Sequence, residues 1–237
     1  MSRLVLVRHA QASFGSADYD RLSPVGEEQA RRLGAHWASQ QTVFDQVFVG
    51  PRRRHRRTAE LVGAALVQGG GLWPEVVVLP ELDEYAGLEV FRASASQPAK
   101  TGRDRAPSAS GVLPSPAESS VELLKRFQDV MGCWVRGELS VPGVETWREF
   151  RRRARRGLEK LLEGGGHGRQ ILAITSTGPV AAALDLAFDL DDQRMLETSW
   201  QLRNTAVSEF VFSAPRFSLS IFNMLPHLTA AEWITHI

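Results

Sequence analysis

The sequence predicts an α/β protein, a doubly wound and mostly parallel sheet with helices on both faces. Three observations carry this. Short apolar runs of strand length recur along the chain, at Leu4–Val7, Asp45–Gly50, Val76–Leu79 and Arg169–Thr175. The stretches between them place apolar residues at helical spacing. The runs are continuous rather than alternating, which is how strands buried on both faces read. Strands alternating with helices imply a parallel sheet covered by helices.

The elements follow in order. Leu4–Val7 is the first strand. Ser23 can cap a helix and Pro24 suits its first position, with Ala30, Leu33 and Trp37 forming the apolar face. Asp45–Gly50 is the second strand, and residues 52–66 make a helix packed through Ala59, Leu61, Val62, Ala65 and Leu66. Val76–Leu79 is a third strand, closed by Pro80. Arg92–Ser120, rich in Ala, Ser, Pro and Gly and without periodicity, is expected to be a long loop. Helices are expected at Val121–Arg136 and Glu145–Glu163, the second ended by Gly164–Gly168. Arg169–Thr175 is a fourth buried strand and Gly178–Phe188 a helix behind it. Residues 205–213 and 216–225 form a final hairpin, turning at Ala214 and Pro215. The expectation is one domain over residues 1–237, with a loop and helical insertion at about 92–163.

The composition excludes several function classes. The 237 residues are 43% hydrophobic, with 28 basic against 27 acidic side chains, so bulk charge makes no case for a nucleic-acid partner. Cys133 stands alone, which rules out an intrachain disulfide and a cysteine metal site. No apolar run reaches the roughly 18 residues of a membrane span. Met1–Val7 is too short for a signal-peptide core, so the chain is expected to be cytoplasmic. The arginine runs at 52–57 and 151–156 lack interleaved aromatics and read as solvated helix faces. Leu124, Phe127, Val130, Met131 and Trp134 form an apolar stripe that suits packing on the domain or a homodimer interface.

In open α/β sheets, ligands gather at the carboxyl ends of the strands. The first strand ends there in Arg8 and His9. A guanidinium offers a fork of donors for phosphate or carboxylate. A neutral imidazole can act as nucleophile or base, and a neighbouring permanent cation lowers its pKa. An arginine from "GPRRRHRRTAEL", after the second strand, could reach the same pocket. Two guanidinium groups around one phosphoryl group would stabilise its transition-state charge. Glu84, in "PELDEY" after the third strand, could protonate a leaving oxygen.

Together these segments resemble the histidine phosphatase superfamily, the branch that also holds cofactor-dependent phosphoglycerate mutases. "LVLVRHA" is similar to the family's strand followed by Arg-His-Gly, with Ala10 for glycine. "GPRRRHRRTA" resembles the Ser-Pro motif; its Thr58-Ala59 spacing selects Arg54, and Gly50 stands where serine is usual. "LDEY" matches the family's acid segment and selects Glu84 over Glu81 or Asp83. "GVETWREF" resembles the Gly-Glu-Ser/Thr segment, with Val144 for glycine.

The resemblance implies a phosphoglycerate mutase-like fold and attack by histidine on a phosphomonoester, giving a phosphohistidine that water hydrolyses. His9 is then the nucleophile, Arg8 and Arg54 hold the phosphate, and Glu84 is the general acid. No metal or other cofactor is implied, and the partner is a small phosphorylated substrate. The family's fourth motif, a strand ending in Ser-His-Gly-Gly, reads "QILAITSTGPVAAAL" here. Ser176 takes the place of histidine, with Thr177 and Gly178 after it. A serine hydroxyl can donate to a phosphoryl oxygen but carries no charge. Phosphatase chemistry slowed by that loss, or adapted to an unusual substrate, is the expectation; a phospho-ligand-binding protein with impaired turnover is the alternative. Ser13 could contact phosphate, as an asparagine does nearby in mutase-like relatives, or be a plain turn residue. The remaining histidines, His36, His55, His167, His227 and His236, are expected in surface or core positions, with His55 pointing around its helix away from Arg54.

Overall fold

The computed structural model describes residues 1–13, 20–94, 120–163 and 168–236. The elements, in chain order, are β1 (Ser2–Arg8), α1 (Pro24–Ser39), β2 (Gln46–Val49), α2 (Arg53–Gln68), β3 (Val76–Val78), α3 (Gly87–Ser94), α4 (Ser120–Val135), α5 (Trp147–Leu162), β4 (Gln170–Thr175), α6 (Thr177–Phe188), α7 (Asp192–Gln201), β5 (Val207–Ser213) and β6 (Arg216–Met224). Short 3₁₀ turns occupy Pro80–Leu82 and Ala231–Trp233.

The chain divides into two compact units, one of Met1–Glu84 with Arg153–Ile237 and one of Tyr85–Arg152. The first carries a six-stranded sheet in the order β3-β2-β4-β1-β5-β6. The first four strands run parallel, and β5 and β6 add an antiparallel hairpin beside β1. The doubly wound α/β expectation therefore holds, with the hairpin as its antiparallel edge.

Side chains on successive strand residues point to opposite faces. Val5, Val7, Val47, Val49, Leu172 and Ile174 share one face and pack with Ala30, Leu33 and Trp37 of α1 and Leu61, Val62 and Leu66 of α2. Leu4, Leu6, Ile171 and Ala173, on the other face, are also fully buried. Burial on both faces explains why the runs showed no alternation. Ser23 caps α1 by accepting from Gly26 N–H at 2.9 Å, ahead of Pro24 in the first turn. At Gly34 the α1 and α2 backbones approach so closely that a Cβ would lie 2.2 Å from Val62 O. Only glycine permits that contact.

The second unit has its own core. Tyr85, Trp134, Trp147 and Phe150 form an edge-to-face and tilted aromatic cluster with centroids 5.2 to 6.1 Å apart. Thr146 and Glu149 open α5 as a reciprocal cap: Glu149 Oε2 accepts from Thr146 N–H, and Thr146 Oγ1 accepts from Glu149 N–H. Of the apolar stripe on α4, Val130, Met131 and Trp134 are buried, while Leu124 is exposed.

Two helices escape the sequence reading. α3 starts before the expected loop at 92–120, most of which lies outside the described residues, as do 164–167 of the expected glycine stop. α7 is capped by Asp191, which accepts from Arg194 N–H at 2.8 Å. The unit Tyr85–Arg152 both begins and ends earlier than the inserted stretch expected at 92–163. No helix among the described residues is long and apolar enough to cross a membrane.

Candidate active site

Strand register assembles the site. β1 lies parallel beside β4 with Arg8 opposite Thr175, and the pairing runs on as His9 N–H donates to Thr175 O at 2.7 Å. His9 and Ser176 therefore leave adjacent strands side by side. On the other side of β4, Val49 of β2 is opposite Ile174, and Gly50 N–H donates to Ile174 O. The start of α2, carrying Arg54 and His55, thus arrives at the same carboxyl edge.

His9 is buried, at 4% exposure. Its Nδ1 lies 2.7 Å from Ala10 O, and Arg54 Nε lies 3.0 Å from its Nε2. A carbonyl only accepts and a guanidinium only donates. Nδ1 therefore carries the proton, and Nε2 presents its lone pair to Arg54. Burial, then the charges of Arg54 and Arg8, hold the His9 pKa well below 6.5. The imidazole is neutral at pH 7, as a nucleophile requires.

Three backbone ties fix His9 from behind. Ala10 N–H donates to Thr58 Oγ1, Asn204 Nδ2 donates to His9 O, and Thr205 N–H donates to Arg8 O. Thr58 in turn donates to Arg54 O at 2.7 Å, so the Thr of the second motif links α2 to the loop that carries His9. Behind Thr205, His227 Nε2 lies 2.9 Å from its hydroxyl, and burial pushes the His227 pKa down to about 3.

Arg54 is nearly inaccessible, and its NH1 donates to Asp20 Oδ1 at 2.9 Å. The other oxygen of Asp20 accepts from Arg53 N–H, in the first turn of α2. The residue at the start of that helix, Arg52, offers no side-chain cap, so Asp20 supplies one from outside the helix. Nothing in the sequence around Asp20 signalled this role. Arg8 donates through NH1 to Leu202 O, which anchors one arm of its fork.

Glu84 occupies the start of α6. Its Oε2 accepts from Thr177 N–H at 3.0 Å and from Thr177 Oγ1 at 2.9 Å, and its Oε1 accepts from Gly178 N–H at 2.9 Å. A carboxylate at a helix N-terminus satisfies orphan donors and the local dipole. The Glu84 segment is itself held by Arg153, which donates to the carbonyls of Glu81, Asp83 and Glu84. Thr175 Oγ1 donates to Leu82 O, tying the segment to β4.

Ser176 precedes α6 but does not cap it; that task falls to Glu84. Its hydroxyl lies instead 2.6 Å from His55 Nε2. The sequence expectation for His55 needs correction here. It is buried as a core residue, but it does not turn away from Arg54's pocket: its ring centroid lies 5.5 Å from that of His9. Gly50, which has no side chain, leaves the room that the ring occupies. Ser13 sits in the loop beyond β1, where its N–H donates to Arg21 O.

Of the predicted residues, the structure thus joins His9 to Arg54 directly and Glu84 to Thr177 directly. Ser176 flanks both pairs. Among the described residues no group of three or more His, Cys, Asp or Glu side chains is arranged to hold a metal ion.

The sequence profile of the histidine phosphatase superfamily, branch 1, matches residues 4–138 and 131–224. The chain belongs to the histidine phosphatase superfamily. Solved structures agree with that superfamily's fold. The YhfR protein of Bacillus stearothermophilus is 15% identical, with a TM-score of 0.65 over 96% of this chain and 99% of its own. The α-ribazole phosphatase of Shigella flexneri is 18% identical, with a TM-score of 0.61 over 94% and 96%. A mycobacterial glucosyl-3-phosphoglycerate phosphatase, solved with inorganic phosphate, is 17% identical, with a TM-score of 0.60 over 96% and 99%. Compared with the curated protein sequences, the chain matches none. Gly50 and Ser176 both border His55.

Proposed function

We propose that the chain is a metal-independent phosphomonoesterase that works through a phosphohistidine on His9. The observation that carries the reading is the state of His9: a buried neutral imidazole whose Nε2 lone pair faces a guanidinium fork. Arg54 moves its donors from Nε2 and Asp20 to the phosphoryl oxygens, and Arg8 adds a second positive charge. The Nε2 lone pair attacks phosphorus as the ester P–O bond breaks. The leaving oxygen takes a proton from Glu84. Water then attacks the phosphohistidine, the P–N bond breaks, and Glu84 recovers a proton as phosphate departs. In this reading Ser176, Thr177 and Ser13 are further contacts of the phosphoryl group.

Ser176 brings a neutral hydroxyl where the resemblance implies an imidazole, so turnover is slower than a second charged donor would allow. Removing one preorganised donor costs ~10²–10³ in rate. A second reading, a phospho-ligand-binding protein with impaired turnover, draws on two features. Arg54 covers the nucleophile, and Glu84 already accepts three hydrogen bonds.

The test is a panel of phosphomonoesters, including sugar and phosphoglycerate esters and p-nitrophenyl phosphate, assayed without added metal with His9→Ala as blank. Rapid quench with labelled substrate should trap an acid-labile, base-stable adduct that His9→Ala lacks. Turnover that survives in His9→Ala would overturn the reading. Tight phosphate binding with no adduct would favour the binding protein.

A further inference from the structure

The pocket contains a second histidine with no assigned part. His55 lies in the first turn of α2, is fully buried, and meets Ser176 Oγ at 2.6 Å. Its ring is tilted 37° to that of His9 across 5.5 Å. Three positions interlock to seat it. A Cβ on residue 50 would lie 2.2 Å from His55 Nδ1 and 2.7 Å from Leu82 O, so any side chain there excludes the ring. Ser176, itself fully buried, is in direct contact with the ring, so a larger residue at 176 would collide with it. Glycine at 50, histidine at 55 and a small hydroxyl at 176 therefore form one packing solution.

Burial, then the charges of Arg54 and Arg52, hold His55 well below 6.5, with the Gly50 carbonyl opposing the shift. The ring is therefore neutral at pH 7. Its Nε2 and Ser176 Oγ share one short hydrogen bond, whose direction follows the ring tautomer. In either direction that bond fixes the position of Oγ, and Glu84 serves the nearby α6 N-terminus in place of Ser176.

We propose that His55 is a positioning residue for phosphoryl transfer, fixing Ser176 Oγ beside the phosphoryl group carried on His9. This rests on the reading of His9 as nucleophile. The histidine lost from the end of β4 is thus answered from α2, through one intervening hydroxyl.

The experiment compares the parent chain with His55→Ala, Ser176→Ala and the double variant. It uses p-nitrophenyl phosphate turnover and the binding of inorganic phosphate and inorganic vanadate, the latter a five-coordinate mimic of the transferring group. Each single variant should lower kcat by roughly tenfold or more, as loss of a preorganised donor does, with KM little changed. The double variant should be no slower than the slower single one, because the two residues act as a unit. Vanadate affinity should fall in both single variants while phosphate affinity stays near the parent's. A His55→Ala protein that keeps parental kcat and vanadate affinity overturns the proposal, as do losses that multiply in the double variant. If His55→Ala fails to fold, Ser176→Ala carries the test, and an unchanged vanadate-to-phosphate ratio there overturns it. His9→Ala separates the two readings. Vanadate binding in the parent that does not depend on His9 removes the phosphohistidine reading together with this one. Binding that depends on His9 but is indifferent to His55 and Ser176 removes only this one.

Discussion

Arg54 Nε donates to His9 Nε2 at 3.0 Å, so the guanidinium that would hold a phosphate covers the lone pair that would attack it. In this geometry the His9 ring is held neutral and its Nε2 lone pair is engaged by Arg54.

Arg54→Lys keeps the charge but loses the planar fork. Phosphate affinity and kcat/KM should both fall, the latter by ~10² or more, as for a lost transition-state donor. The His9 pKa should rise in the Arg54→Ala variant, since that charge is the second cause of its depression. It should stay under 6.5, since burial is the first. A ¹⁵N NMR titration of the His9 ring reads this; a value above 6.5 would show that the cation, not burial, governs the imidazole.

Asp20 occupies Arg54 NH1, a donor that a phosphate held as proposed would need, and places a carboxylate beside it. Asp20→Ala should tighten inorganic phosphate binding by several-fold. It should also destabilise the fold by about 1 kcal/mol through the lost cap on α2. Calorimetric phosphate titration and urea unfolding measure the two effects separately. Weaker phosphate binding would mean that Asp20 aligns Arg54 rather than competing for it.

Glu84→Gln turns one acceptor into a donor facing the N–H groups and hydroxyl at the start of α6. Stability should fall by about 1–3 kcal/mol, the cost of a buried donor left unmatched. If Glu84 is the general acid, kcat should drop steeply for alkyl phosphates and little for p-nitrophenyl phosphate, whose leaving group needs no proton. Equal losses on both substrates would leave Glu84 with its structural task alone.

Acid stability follows from three buried histidines. His9 and His55 are depressed well below 6.5, and His227 to about 3. In the unfolded chain each binds a proton near 6.5, so between there and the folded value the unfolded state holds more protons. Their contribution is fully present above pH 6.5 and is lost as the pH falls toward each folded value, about 3 for His227 and well below 6.5 for the other two. Each adds about 1.4 kcal/mol per pH unit to that slope. Urea midpoints measured from pH 7 to 5 should decline, and His227→Gln should flatten the decline by about one proton's worth. A flat profile would mean that these rings accept protons without unfolding.

The fold was legible because burial on both faces leaves a strand uniformly apolar, as in Leu4–Val7 and Ile171–Ile174. α7 was harder to see, because of its residues only Met195, Leu196 and Ser199 are buried among polar neighbours. Arg54 could be picked from a run of arginines only by the Thr58-Ala59 spacing, and the structure gives the reason: Thr58 links Arg54 O to Ala10 N–H. Asp20 and His55 were illegible for a different cause. Their meeting with Arg54 and Ser176 depends on the register of separate strands and on the empty space at Gly50, neither of which is encoded near them. Gly50 and Ser176 read as separate positions in the sequence, whereas both lie against the ring of His55.

The strand order sets when this pocket can exist. Among the described residues, β1 pairs in the sheet with β4 and β5, which begin at Gln170 and Val207. Closing so long a stretch of chain precedes any reward from pairing, so folding is slow compared with proteins of local topology. During synthesis β1 emerges long before either neighbour, at ~5–20 residues per second. Leu4, Leu6 and Val7 must then wait exposed, for some ten seconds or more on that scale, with both strand edges open. A nascent chain halted before β4 should therefore bind hydrophobic-segment chaperones through its first strand and release them only once β4 and β5 have emerged.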